Sequence, residues 1–343
     1  MAEVHREAKI GFLRIQFADD MMSRNILMYF PWSRPDEEGA PLGILDNRFG
    51  ALFELRRLQW PKFEALADIE RFNQGIAGFL DNILLQNYSL FREDMRIRAG
   101  NAVRIVERRT SGGKVMLLDG DFLDGVDILI VVSFDSQRTQ QHPGESELAA
   151  VRKWLDDPGH TLFVCPHHDI GNVDGVPSSE VLATQEMEFH HHGDPGLPGQ
   201  QRLGGFARSL LRDLGIPVSN NFGLRPAKMR DGSAAPIHIN SQADRFNLLQ
   251  GVSTFNLHPH LPHFEMHGDS PQKLDVLVEQ SIDLEAPPHP FFEQGRKTFD
   301  ALLQSKPNVF GGRLLICDAT IWTSTNGGLG SLRQLWANVT RLA

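Results

Sequence analysis

The chain has 343 residues, of which 41% are hydrophobic and 22% are charged, a composition typical of a soluble globular protein. Its formal net charge of -9 argues against nucleic acid or an anionic membrane surface as a partner. The charged N-terminus is not followed by an apolar stretch as long as a signal peptide or a membrane span, which predicts a cytoplasmic protein.

The first hundred residues carry the weakest pattern, and we interpret 1–100 as an N-terminal elaboration of the fold. Residues 9–17 and 49–58 are compatible with strands, and 49–58 is the better candidate for the first strand of a sheet. Residues 63–91 have a mostly helical pattern that fits one long helix or two short ones. The stretch 31–41, which has a proline at each end, predicts a loop.

From about residue 102 the pattern alternates between strands and helices, and we interpret 101–343 as the main α/β domain. Residues 126–132 form an almost continuous apolar run, as expected for a strand that is covered on both faces. A helix is predicted at 145–155 and a further strand at 161–165. Because a strand, a helix and a strand follow one another closely, the sequence predicts a right-handed parallel βαβ unit.

The alternation continues after a glycine- and proline-rich stretch at 171–205, which we interpret as a histidine-rich insertion. Helices are predicted at 206–214 and 329–342, and 291–303 is predicted to be a loop followed by a helix. The remaining predicted strands are 102–106, 237–240, 252–257, 273–278 and 312–317. Because the chain shows no internal repeat and no interdomain linker, we expect one compact domain overall.

Three segments carry a family resemblance through their order and spacing. The strand at 127–133 precedes the strand that ends in Cys165, and the segment 255–260, Phe-Asn-Leu-His-Pro-His, follows further along the chain. In these features residues 100–343 resemble the class I glutamine amidotransferase-like superfamily. The resemblance implies a flavodoxin-like three-layer α/β/α sandwich with a mostly parallel sheet, in which Cys165 is the nucleophile and His258 is its base.

The chain departs from the family pattern around the same residues. Val164 and Pro166 flank Cys165 where the family has glycines, and His260 stands in place of the acid of the family's His-Pro-Glu. Pro166 also lacks the backbone N–H that commonly stabilises an oxyanion. The segment from Gly312 onward resembles non-catalytic amidotransferase-like domains of transport-associated and gliding-associated proteins. We therefore expect a protein without glutaminase activity that binds a small ligand or a protein partner in the crevice near Cys165.

Two catalytic alternatives remain open. In the first, Cys165 and His258, with His260 orienting the histidine, act as a hydrolase or transferase on a small C–N or acyl substrate. The alternative for Cys165 itself is a small buried hydrophobic residue. In the second, a metal-dependent enzyme holds zinc, iron or copper through His258, His260, His263 and His167. On an extended strand, His258 and His260 point to the same face, which suits two ligands of one ion.

Polar residues just beyond the predicted strands are further candidates for ligand binding. His167, His168 and Asp169 follow one strand, and Asp135 and Asp318 follow two others. The alternative for Asp135 and Asp318 is a helix cap or an Asx turn.

The histidine triplet 190–192, with Glu186, Glu188 and Asp194 nearby, is a third candidate patch for a metal. Because consecutive histidines beside a glycine- and proline-rich loop are usually solvated, we expect this triplet to be exposed. The composition is also compatible with a homo-oligomer.

Overall fold

The computed structural model of the protein describes residues 24–38, 80–167, 169–171, 175–193 and 201–342. In this part of the chain it has one eight-stranded sheet and two small two-stranded sheets. The predicted strands at 9–17 and 49–58 lie outside the described residues, as do most residues of the predicted helical segment 63–91.

The strands have the order β2-β1-β3-β4-β12-β11-β10-β8 in the large sheet. The described strands are β1 (Ile26–Ser33), β2 (Arg104–Arg109), β3 (Ile128–Ser133), β4 (Thr161–Pro166), β5 (Asp169–Ile170), β6 (Gln201–Arg202), β7 (Val218–Leu224), β8 (His238–Ile239), β9 (Leu261–Met266), β10 (Leu274–Ser281), β11 (Thr298–Ser305) and β12 (Arg313–Cys317). The pairings from β2 to β12 are parallel, and those that join β11, β10 and β8 are antiparallel. The α/β class and the mostly parallel sheet predicted from the sequence are thereby confirmed.

Helices lie between these strands, and none of those in the described ranges is long and apolar enough to cross a membrane. The described α-helices are α1 (Arg34–Glu38), α2 (Ser89–Arg98), α3 (Gly120–Leu123), α4 (Glu145–Trp154), α5 (Val181–His192), α6 (Gly205–Asp213), α7 (Ser270–Lys273), α8 (Pro290–Glu293) and α9 (Leu329–Val339). A π-helical turn, Leu80–Leu84, and a 3-10 turn, Leu85–Tyr88, lead into α2, and a further 3-10 turn covers Ala319–Trp322.

The parallel strands are buried on both faces, which explains their continuous apolar sequences. In β3, for example, Ile130 and Val132 belong to one hydrophobic cluster, whereas Leu129 and Val131 belong to another. Residues of α2 and α9 complete the first cluster, and residues of α4 and α6 complete the second. The sheet is therefore covered by helices on both faces, as in a three-layer α/β fold. The predictions confirmed here are the strands at 126–132, 161–165 and 312–317 and the helices at 145–155, 206–214 and 329–342.

β1 was missed by the sequence analysis, although it lies between β2 and β3 in the parallel half of the sheet. Its even-numbered residues pack into one core, and Leu27 and Tyr29 pack into the other. The predicted loop at 31–41 is wrong in its described part, because the strand continues to Ser33 and α1 follows it. Pro31 is tolerated because the pairing of β1 with β2 is irregular at this point.

The predicted helix within 291–303 is also wrong, because β11 begins at Thr298 and is buried along almost its whole length. Asp300 and Gln304 are buried polar residues in this strand, and they interrupt the apolar pattern by which a covered strand is recognised.

The predicted strand at 252–257 is an irregular segment in the structure. The chain then enters β9, which pairs with β7 outside the large sheet. His258 and His260 therefore lie in a loop and not on a strand of the main sheet.

Candidate functional site

Cys165 lies inside the hydrophobic core and has no exposed surface. Its Sγ is 3.5 Å from the Sγ of Cys317 on the neighbouring strand β12, and the indole Nε1 of Trp322 donates to it at 3.4 Å. Burial raises the pKa of the Cys317 thiol well above its usual value. A nucleophilic cysteine needs thiolate character and access for a substrate. The surroundings of Cys165 are instead those of a buried structural cysteine.

His167 and Asp318 meet where β4 and β12 end. Because these parallel strands are neighbours, their carboxyl ends lie side by side, and Nδ1 of His167 is 3.4 Å from Oδ2 of Asp318. Asp318 also caps the 3-10 turn that follows it, since its Oδ1 accepts from the Thr320 N–H at 2.8 Å. Burial alone would raise the pKa of Asp318, but the contact with His167 outweighs it and lowers that pKa. The capping role expected for Asp318 is confirmed. The structure also shows that His167 is a partner of its carboxylate, which the sequence did not predict.

From His167, a row of histidine rings extends away from the end of the sheet. The ring centroids of His167 and His258 are 5.8 Å apart, and those of His258 and His260 are 5.3 Å apart. The next ring is that of His192 in α5, 4.3 Å from His260, and His289 lies 6.4 Å beyond it. We call these five residues the histidine row. Three predicted candidates, His167, His258 and His260, are thus brought together.

The loop that carries His258 is held in place by specific contacts. Asn256 donates to Thr320 Oγ1 at 2.8 Å, and its own side-chain oxygen accepts from the His258 N–H at 2.9 Å. The chain also passes very close to Gly328, where an added Cβ would lie 2.2 Å from the carbonyl oxygen of Phe255. Gly328 has a φ of +66°, so both the space and the backbone conformation require glycine.

At the far end of the histidine row, Glu188, His192 and His289 form a group that could hold a metal ion. One ligand atom from each residue lies within 4.8 Å of the others. The side chains are buried, with exposed fractions of 6%, 4% and 2% respectively. Glu188 and His192 are four residues apart on α5 and so share one helix face. His289 arrives from the N-terminus of α8. We call this group the Glu188–His192–His289 cluster.

Hydrogen bonds orient the members of this cluster. The Nε2 of His192 donates to the carbonyl oxygen of Gly223 at 2.7 Å, which leaves Nδ1 with its lone pair. Oε2 of Glu188 accepts from the Gly171 N–H at 2.7 Å. The Nε2 of His289 is 4.0 Å from Oε1 of Glu188, beyond hydrogen-bonding distance. Both His192 Nδ1 and His289 Nε2 are buried without a hydrogen-bond partner.

Burial keeps several of these imidazoles neutral. It lowers the pKa of His192 well below its usual value, and the neighbouring His260 adds to the effect. His258 is only partly buried as a residue, but its Nε2 is shielded from solvent. Burial, together with His260 and His167, lowers the pKa of His258 to about 3. Neutral imidazole is the form that binds metal ions, so at pH 7 these rings are in a state competent for coordination.

The expectation that the 190–192 triplet is solvated is wrong for two of its three members. His190 is exposed, but His191 and His192 are buried. His191 is tied to two backbone groups, since its Nδ1 donates to the Pro287 carbonyl at 2.9 Å and its Nε2 accepts from the Arg225 N–H at 3.0 Å. Burial lowers the pKa of His191 to about 4. His191 therefore anchors α5, and His192 is the member that points into the cluster.

The sequence contained one signal for the Glu188–His192–His289 cluster, the spacing of four residues between Glu188 and His192. That spacing places both side chains on one face if the segment is helical. His289 carried no such signal, because a histidine before a proline resembles an ordinary helix cap. Its side chain does cap α8, where Nδ1 accepts from the Phe291 N–H at 3.1 Å.

His263, predicted as a metal ligand, is engaged elsewhere. Its Nδ1 accepts from the Asp300 N–H at 3.1 Å, and its Nε2 lies 3.2 Å from the guanidinium of Arg296. Burial lowers the pKa of His263 to about 3. A neighbouring guanidinium opposes a second cation, so the position of His263 does not suit a metal ligand.

The other predicted ligand-binding residues lie at a different place. Asp135 is buried and caps α6, since it accepts from the Phe206 N–H at 2.9 Å and from the Ser133 hydroxyl. Burial raises the pKa of Asp135. Asp169 lies 2.7 Å from the Nε of Arg202 and accepts from Gln137 at 3.2 Å. His168 lies outside the described residues. Asp135 therefore does not make the local cap or Asx turn expected after its strand; it binds the first turn of α6, whose N-cap residue is Gly204.

No family model matches the chain, and no curated protein matches it either.

Proposed function

We propose that the protein binds a divalent transition-metal ion through Glu188, His192 and His289, and that this ion serves a metal-dependent reaction. The observation that carries the proposal is the convergence of two imidazole nitrogens and a carboxylate within 4.8 Å in a buried place. Two histidines and one carboxylate are a recurrent set of three protein ligands in catalytic zinc and iron centres. Such a set leaves coordination positions open for water or substrate.

The contacts around the cluster support this assignment. Metal-binding histidines usually donate their other ring N–H to a carbonyl or carboxylate, which fixes the tautomer. His192 makes such a bond to Gly223, and Glu188 is oriented by the amide of Gly171. The ring of His260, 4.3 Å from that of His192, lies where it can face a group bound to the ion.

The hydrogen bond between His289 and Phe291 opposes coordination, but the free-energy cost of breaking it is small compared with the free energy of metal binding. Because His289 Nδ1 accepts from Phe291, the ring proton of the metal-free protein is on Nε2. Coordination through Nε2 moves that proton to Nδ1, where it faces the Phe291 N–H, and leaving these two buried donors without an acceptor costs about 1–3 kcal/mol each. Structural zinc sites bind with roughly 10 kcal/mol or more, so the lost bond does not prevent metal binding.

The test is metal analysis of the full chain purified without a histidine tag, followed by titration of the chelated protein with Zn²⁺, Fe²⁺ and Cu²⁺. We expect about one ion per chain, held by all three residues. His192→Ala should abolish stoichiometric binding, and Glu188→Gln should weaken it strongly. The matched controls are His190→Ala and Glu186→Gln, which alter exposed side chains of the same helix. Circular dichroism separates loss of the ion from loss of the fold.

The absence of a stoichiometric ion in every titration, or equal binding by His192→Ala and the wild type, would contradict the proposal. In that case the expectation of a ligand-binding or partner-binding protein would stand alone.

We further propose that the fold is flavodoxin-like and akin to amidotransferase-like domains without glutaminase activity. The order β2-β1-β3-β4-β12 of the parallel strands supports the first part, since it matches the 2-1-3-4-5 order of flavodoxin-like sheets. The burial of Cys165 supports the second part. Measurement of glutamine hydrolysis tests it, and turnover that is lost in Cys165→Ala would contradict it.

A further inference from the structure

His191 lies where three segments of the chain meet beside the proposed metal centre, and it has no exposed surface. Its Nε2 accepts from the backbone N–H of Arg225, just after β7, at 3.0 Å. Because that nitrogen accepts, the ring proton is on Nδ1, which donates to the Pro287 carbonyl oxygen at 2.9 Å. One buried ring therefore joins α5 to the end of β7 and to the segment before α8.

The segment that carries His289 is stiff and poor in backbone donors. Its sequence is Pro287-Pro288-His289-Pro290, and proline has no N–H with which to bind the rest of the protein. Proline also fixes its own φ at about −65° and restricts the residue before it to extended conformations. His289 has such a conformation, with a φ of −130° and a ψ of 149°. A contact that places Pro287 therefore also places His289, two residues further along the chain.

Ring contacts extend this support to the imidazole of His289 itself. The ring centroid of His191 lies 5.1 Å from that of His289 and 5.3 Å from that of Phe292 in α8. On another side, the ring of Phe222 lies 5.8 Å from His289 at an interplanar angle of 73°. Aromatic pairs favour tilted and edge-to-face arrangements at such distances, so these contacts restrict the orientation of the His289 ring.

We propose that His191 is a positioning residue of the metal centre and acts through its hydrogen bond to Pro287. The inference rests on the proposed metal-binding function. Glu188 and His192 both belong to α5, so one helix fixes their mutual placement. His289 comes from a different segment, and the bond between His191 and Pro287 joins that segment to α5.

The other hydrogen bond of His191, from Arg225, should matter less for His289. Arg225 holds the start of the same segment without His191, since its carbonyl oxygen accepts from the Asp283 N–H at 2.8 Å. Asp283 is six residues from His289, whereas Pro287 is two residues away. The bond to Pro287 is therefore the one that should decide the geometry of the metal centre.

Two substitutions separate the two hydrogen bonds. His191→Asn places an amide nitrogen near the position of Nδ1, where it can donate to Pro287. His191→Gln places its amide near the position of Nε2, where its oxygen can accept from Arg225. Both variants lose the ring and one buried hydrogen bond, so they should lose a similar amount of stability. Urea unfolding of the full chain in EDTA measures this loss.

Zn²⁺ titration should then distinguish the variants. Outer contacts that hold metal ligands in place are typically worth about 10- to 100-fold in metal affinity, and we expect His191→Gln to bind Zn²⁺ at least about tenfold more weakly than His191→Asn. Absorption spectra of the Co²⁺-loaded proteins report the ligand geometry and should depart further from the wild type in His191→Gln. His190→Gln, which alters an exposed side chain of the same helix, is the matched control.

If His191→Gln does not fold, Pro288→Gly tests the same link. Pro288 is exposed, and glycine at this position loosens the chain between Pro287 and His289 while His191 stays unchanged. We expect this variant to bind Zn²⁺ about tenfold more weakly than the wild type. Unchanged affinity in Pro288→Gly would overturn the inference.

Equal Zn²⁺ affinities of His191→Asn and His191→Gln, or weaker binding by His191→Asn, also overturn it. A larger loss of stability in His191→Gln that accounts for its weaker binding does so too, because the role of His191 is then structural only. In each of these cases a stoichiometric ion in the wild type leaves the metal centre standing. A wild type that binds no ion refutes the metal centre and this inference with it.

Discussion

The cysteine pair and the Glu188–His192–His289 cluster are both buried, but they differ in what burial leaves unsatisfied. Cys165 and Cys317 contact each other and the core, and a thiol behaves there as a small hydrophobic group. His192 and His289 each keep a buried ring nitrogen without a hydrogen-bond partner. Leaving such a group unsatisfied costs about 1–3 kcal/mol. Unsatisfied burial, and not residue reactivity, is therefore the feature on which the proposed metal site rests.

The largest expected effect is the protection of Cys165 from labelling in the folded protein. Because both thiols are fully buried, iodoacetamide should label them only when the chain unfolds. With a free energy of unfolding of about 5 kcal/mol or more, labelling should be at least about 10³-fold slower than for an exposed thiol. The measurement is the labelling rate across pH by mass spectrometry, with Cys165→Ser and Cys317→Ser to assign each site. Rapid labelling of Cys165 in the native protein would instead support Cys165 as a catalytic nucleophile.

The next largest expected effect is the stabilisation of the folded protein by a bound metal ion. It should depend on the Glu188–His192–His289 cluster and not on the cysteine pair. At a free ion concentration of about 1,000 times the Kd, binding to the native state stabilises it by about 4 kcal/mol. We expect this increase in the free energy of unfolding for the wild type and for Cys165→Ala, and we expect its loss in His192→Ala. Urea unfolding with Zn²⁺ and with EDTA measures it. Equal stabilisation of His192→Ala would place the ion elsewhere.

The sequence predicted the parallel half of the sheet well because its strands are short, continuous apolar runs. β3, β4 and β12 were found for this reason. In the same half β1 was missed, because Pro31 concealed its end. In the antiparallel half β10 was predicted, but β11 was missed because Asp300 and Gln304 interrupt its apolar pattern. Local pattern cannot show that a buried polar residue will be satisfied by a partner far along the chain.

In the candidate site, as in the sheet, local sequence pattern predicted some residues and could not predict others. His167 was predictable because it follows a strand end, and His258 and His260 were predictable as a dense histidine pair. The contacts that bring α5 against the segment before α8 are not local: His191 bonds to Pro287, 96 residues away. No periodicity within α5 could have revealed that His192 meets His289.

The loop that carries His258 requires glycine at position 328. Gly328→Ala should destabilise the protein by about 2 kcal/mol, because the added Cβ would lie 2.2 Å from the Phe255 carbonyl oxygen at a φ of +66°. Gly330→Ala is the matched control, since nothing lies within 4 Å of its added Cβ and alanine favours the helix by roughly 0.5–1 kcal/mol. Urea unfolding of both variants measures the contrast. Equal stability of the two would show that the close approach of the loop is dispensable.

The smallest effect concerns His263, a histidine that is buried and engaged but not in the cluster. Its pKa is about 3 in the folded protein, against 6.5 as its ordinary value. Between those values the unfolded chain binds a proton that the native protein does not, so the free energy of unfolding falls as the pH falls from 6.5 towards 3. Each such group contributes a slope of about 1.4 kcal/mol per pH unit. His263→Leu should reduce the slope between pH 6 and 4 by about that amount, whatever its effect on stability at pH 7. An unchanged slope in His263→Leu would mean that His263 is protonated in the native protein and that its burial does not keep it neutral.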